Sequence, residues 1–82
     1  MKNNEIEAIL IKSLLLDEIY VNNDGSHYEI IAVSKEFAHI SLVDQQKLVY
    51  APLIPYISNA SIHSLSIKTY TPKEWECARK FY

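Results

Sequence analysis

Eighty-two residues, 49% apolar and 22% charged, suit one small domain spanning residues 1–82 and exclude a disordered chain. The net charge of −2 is uneven: residues 1–40 carry three lysines against seven acids, and residues 61–82 carry Lys68, Lys73, Arg79 and Lys80 against Glu74 and Glu76. That is too weak a basic footprint for an independent, tight nucleic-acid binder.

Asn4 offers a helix cap with Glu7 three residues on, and Ile6, Ile9, Leu10, Ser13 and Leu14 recur at helical spacing. They predict a helix over 5–15. Lys12 and Ser13 interrupt Ile9–Leu16, so no apolar run reaches the ~18–20 residues of a bilayer span. The N-terminus sets Glu5 close to Lys2 and does not read as a signal peptide. Ile19 and Val21 alternate with Glu18, Tyr20 and Asn22 as a first strand. Asp24-Gly25 holds the only glycine and signals a hairpin turn, because glycine tolerates positive φ. The second strand runs from His27 to Ser34, with Tyr28, Ile30 and Ala32 on one side and His27, Glu29, Ile31 and Val33 on the other.

Ser41 caps a helix over 41–50, with Asp44 at its third position and Leu42, Gln45, Gln46 and Val49 at helical spacing. Pro52 ends it and restarts a short second piece carrying Leu53, Ile54, Tyr56 and Ile57. Residues 62–69 form the third strand, with Leu65 and Ile67 alternating with Ser64, Ser66 and Lys68. Thr71-Pro72-Lys73-Glu74 supplies a cap, a first-turn proline and a capping-box glutamate for a last helix over 72–80. The order α-β-β-α-α-β-α predicts an α/β (α+β) fold: a three-stranded sheet with helices on one face and the other face more open. The hairpin is antiparallel, and the pattern leaves the direction of the third strand open.

No catalytic constellation emerges, so an enzyme is not expected. The one cysteine, Cys77, excludes an intramolecular disulfide, fits a reducing, cytoplasmic compartment and has no His/Asn relay. Beside Trp75 and Ala78 it is expected to be packed rather than reactive. No glycine-rich phosphate loop exists, and a single glycine rules out the Gly-x-x-Gly clamp of nucleotide-binding KH domains. Tyr50 and Tyr56 are expected to pack in a core or interface rather than stack on bases. Any nucleic-acid contact falls to Lys47, Lys68 and Lys73. His39 is expected to face solvent. His63, read from its surroundings alone, is a polar residue at a strand start.

Three segments, in order, resemble the BolA-like family and its bacterial YrbA/IbaG branch: Asp24-Gly25-Ser26-His27-Tyr28-Glu29-Ile30, Gln45-Gln46-Lys47-Leu48-Val49-Tyr50-Ala51-Pro52-Leu53, and Ile62 through Trp75 with its Ile-His pair and Thr-Pro-x-x-Trp helix start. The resemblance implies a class II KH-like fold. It also implies a non-catalytic adaptor that pairs with a monothiol glutaredoxin and helps hold or transfer a bridging [2Fe–2S] cluster, shared with that partner and glutathione and absent from the isolated chain. His63 matches the family's histidine ligand. A second ligand comes from the hairpin in several branches, where this chain offers His27. The other reading of His27 is a hairpin-edge side chain bonding across the turn. Asp24 stands where some relatives have a loop cysteine, and the turn role is favoured for it. Pro55 replaces a helix-compatible residue and is expected to shorten or bend the second helical piece. Alone, the chain is expected to be a monomer or weak homodimer. The alternative implied by the family is a DNA-binding transcriptional regulator of stress or morphology genes.

Overall fold

The alternating apolar residues form a sheet whose two faces are covered differently. The computed structural model describes residues 1–82 and places α1 at Asn3–Ser13, β1 at Glu18–Asn23, β2 at His27–Val33, α2 at Leu42–Tyr50, α3 at Ile54–Ser58, β3 at Ser64–Tyr70 and α4 at Pro72–Ala78. Gly25, at φ 89°, turns the β1–β2 hairpin, and the Asp24 N–H donates to the His27 carbonyl at 3.1 Å. Strand order is β1-β2-β3. β1 pairs antiparallel to β2 with Val21 opposite Ile30, and β3 runs parallel to β2 with His27 opposite Ser64. A parallel neighbour needs a long crossover, which α2 and α3 supply.

On one face Val21, Tyr28, Ile30 and Ala32 pack against Ile6 and Leu10 of α1, Val49 of α2, and Phe37, Leu53 and Ile62. On the other, Ile31 and Val33 meet Trp75 of α4, with Tyr70 and Ala78 partly buried against them. The second face is therefore open only towards its His27 end, because α4 covers the other. No helix is long and apolar enough to cross a membrane.

The element boundaries differ from expectation at several places, among them β3, which begins at Ser64 rather than Ile62 and leaves His63 just ahead of the strand. α1 begins at Asn3, with the Glu5 carboxylate accepting from the Lys2 N–H at 2.8 Å. It ends at Ser13, whose hydroxyl donates back to the Ile9 carbonyl at 2.7 Å, a bond that competes with helix propagation. A 3-10 turn over Lys35–His39 was not legible in the sequence: Ser34 Oγ accepts from the Glu36 N–H and Phe37 enters the core at 3% exposure. Pro52 lies in a second 3-10 turn, Ala51–Leu53, and the helix restarts at Ile54. Pro55 then occupies the first turn of α3, where the missing N–H costs nothing. Finally, α4 passes into a 3-10 turn at Arg79–Phe81.

Cys77 is exposed, against the expectation that it packs. Two residues beyond Trp75 places it about 200° round the helix, while Ala78, three residues on, shares the buried side.

Gln45 is buried and fully used. Its Nε2 donates to the Phe37 carbonyl at 3.0 Å and the Ile40 carbonyl at 2.8 Å, and its Oε1 accepts from the Thr69 hydroxyl at 2.6 Å. This one side chain ties the 3-10 turn, α2 and β3 together. Thr69→Val strands the buried Gln45 carbonyl and should cost about 1–3 kcal/mol, read as a lower urea midpoint with an unchanged slope.

Candidate functional site

The mouth of β3 is built from a buried anchor followed by an exposed imidazole. Ile62 is 1% exposed, and His63, the next residue, is exposed. The approach is a tight α3 terminus: the N–H groups of Ser61 and Ile62 both donate to the Tyr56 carbonyl, at 2.9 and 3.1 Å, and that of Ala60 to Ile57 at 3.1 Å. Ser61 N–H also reaches Asn59 Oδ1 at 3.0 Å. Ala60 sits at φ 64°, the left-handed position where helix ends favour glycine. Ala60→Gly should therefore stabilise the chain by about 0.5–1 kcal/mol, seen as a raised unfolding midpoint.

His63 makes no hydrogen bond within the chain. It lines a cavity of about 130 Å³ with Tyr50, Ile57, Ile62, Ser64 and Leu65. Tyr50 and Leu65 continue into a groove of about 330 Å³ between α2 and the outer edge of β3, completed by Val43, Gln46, Lys47 and Ile67. Tyr50 is thus a groove wall, 41% exposed, whereas Tyr56 packs partly against the main core.

His27 does not bond across its own turn, as one of its two readings expected. Its Nδ1 lies 2.6 Å from Ser64 Oγ and its Nε2 2.9 Å from Ser66 Oγ, so the ring bonds to β3 rather than across its own turn. Asp24 takes the turn role. It lines a polar cavity of about 200 Å³ with Asn22, Asn23, His27 and Glu29. The register brings both histidines to one end of the sheet, since His63 precedes the residue opposite His27. No group of three or more His, Cys, Asp or Glu side chains is placed to hold a metal ion. This end of the sheet thus offers two imidazoles without a third ligating side chain beside them.

The three lysines are not gathered. Lys47 lines the groove beside α2. Lys68 lies on the opposite sheet face, 3.8 Å from Glu29 and 5.3 Å from the centre of the Tyr82 ring. Lys73 is exposed in the first turn of α4. His39 is exposed, as expected.

The sequence reading missed two features. Ser64 and Ser66 bind His27, a partnership that only the parallel register creates. Trp75 gathers Tyr20, Tyr70 and Tyr82 at ring-centre distances of 5.3–5.4 Å. The hydroxyls of Tyr70 and Tyr82 are 2.9 Å apart; that hydrogen bond, then burial, pushes Tyr70 up to about 12. A hydrogen bond to Glu18 raises Tyr20.

Residues 5–74 match the BolA-like protein family. The acid stress protein IbaG of Escherichia coli (strain K12) is 49% identical over 80 residues, which cover 98% of this chain and 95% of the relative. A solved bol-like protein from Babesia bovis superposes with a TM-score of 0.78 at 26% identity, covering 96% of this chain and 94% of that one. The BolA domain of SufE1 from Arabidopsis thaliana gives 0.74 at 31% identity, covering 88% and 93%.

Proposed function

The chain belongs to the BolA-like protein family, and from that premise we propose that it is a non-catalytic adaptor that pairs with a monothiol glutaredoxin. In this reading it lends His63 to a [2Fe–2S] cluster that the two proteins and glutathione hold jointly. The observation that supports it is the state of His63: exposed, free of any bond within the chain, and carried on backbone fixed by buried Ile62 on one side and β3 on the other. His63 thus offers a second protein an unspent lone pair on a rigid support.

Two histidines cannot satisfy a four-ligand cluster, so the thiolates belong to the partner. Replacing one thiolate by neutral imidazole makes that iron less negative and raises the cluster's potential. The groove from Val43 to Tyr50, ending at His63, gives the partner an apolar seat beside the ligand. Iron takes the deprotonated imidazole, so protons compete with it for the same lone pair. We extend to this chain the acid-stress setting carried in the name of its Escherichia coli relative.

The test mixes the chain with cluster-loaded monothiol glutaredoxin and follows visible absorption and circular dichroism. The expected result is a new spectrum that saturates with added chain. A spectrum identical to glutaredoxin alone rejects the adaptor.

A further inference from the structure

We propose that Ser64 and Ser66 are positioning residues that select which nitrogen of His27 joins the shared cluster: Nδ1 enters by displacing Ser64, while Ser66 keeps Nε2 and holds the ring. This inference rests on the adaptor reading and deepens it. In the free chain both ring nitrogens are bonded to hydroxyls, at 2.6 Å and 2.9 Å. A neutral imidazole has one donor and one acceptor nitrogen, and serine hydroxyls rotate to satisfy either tautomer. No lone pair of His27 is therefore open, and coordination must first break one serine bond.

The two bonds are unequal. Ser64 is exposed, at the first position of β3 and directly after His63, whereas Ser66 is half-buried two residues further in. A hydroxyl released at the strand mouth rebonds with water at little cost, and one stranded in a half-buried site does not. Nδ1 is accordingly the nitrogen that opens, beside Ser64 at the mouth of β3. With Nδ1 occupied, the ring carries its proton on Nε2 and donates it to Ser66 Oγ. Such a bond fixes the tautomer and direction of a metal-bound imidazole. The other polar groups around the ring, Asn22, Asn23, Asp24 and Glu29, line the cavity beyond it, and Glu29 is already paired with Lys68.

The test uses the full chain as wild type, Ser64→Ala, Ser66→Ala and Ser66→Thr. Ring ¹⁵N spectra of His27 are recorded on the free proteins, and circular dichroism during titration with cluster-loaded monothiol glutaredoxin. Ser66→Ala should shift the Nε2 resonance of the free ring and weaken the shared complex by roughly 10–100-fold. Ser66→Thr should restore both, and Ser64→Ala should bind at least as tightly as wild type. A wild-type response that Ser66→Ala leaves unchanged, or that Ser64→Ala weakens equally, overturns this inference alone. A wild-type chain that never alters the glutaredoxin spectrum overturns the adaptor reading and this inference with it.

Discussion

His63→Ala should abolish the chain's effect on the spectrum of a cluster-loaded glutaredoxin while leaving the fold intact. The side chain is exposed and makes no hydrogen bond, so its removal should change stability by no more than about 0.5 kcal/mol. Its loss from the shared site should cost more than the roughly 10–100-fold that follows loss of a ligand's hydrogen-bond partner. His27→Ala should show the opposite balance. It forfeits both serine bonds that tie the hairpin to β3, at about 1 kcal/mol each, and it weakens the complex less than His63→Ala does. Urea melts alongside spectral titrations separate the two. Equal titrations for His63→Ala and wild type would remove His63 from the ligand set.

Trp75→Ala should be the most destabilising single change on the α4 side, at about 3–5 kcal/mol. Small domains of this size hold only about 5–15 kcal/mol in total, so the variant should melt far below wild type. α4 spans only Pro72–Ala78, too short to persist without tertiary packing. Its capping box, with Thr71 and Glu74 exchanging bonds of 2.8 and 3.2 Å, starts the helix but does not dock it. Docking comes from Trp75, 6% exposed over Ile31 and Val33 and ringed by three tyrosines. The indole nitrogen is buried without a hydrogen-bond partner, so Trp75→Phe discards an unsatisfied donor and should cost distinctly less than Trp75→Ala. Equal unfolding midpoints for the two variants would show that the ring's packing is not what holds α4.

These features differed in how far the sequence disclosed them. Strand phase, the Asp24-Gly25 turn, the Ser41 cap and the Thr71–Glu74 box depend on neighbours in the chain, and each stands where its residues indicated. What lay across the sheet was not legible. Alternation assigned Ile31 and Val33 to one face without revealing that Trp75 covers them, and it gave no direction for β3. That direction decides the site, because only parallel pairing sets Ser64 opposite His27. Phe37 carries no sequence signal, because one aromatic between Lys35-Glu36 and Ala38-His39 has no period to announce it. Cys77 departs from expectation because nearness to Trp75 in sequence is not nearness on the helix surface. His63 itself carried almost no local signal; the motif around it singled it out.

The central claim is that this chain donates an imidazole nitrogen to iron held mainly by another protein. The most direct measurement labels only this chain's histidines with ¹⁵N, forms the complex with unlabelled cluster-loaded glutaredoxin, reduces it and records pulsed electron paramagnetic resonance. The predicted result is a ¹⁵N hyperfine coupling from directly bound nitrogen that loses its His63 component in His63→Ala. A reduced cluster signal from the wild-type complex with no ¹⁵N coupling would contradict it.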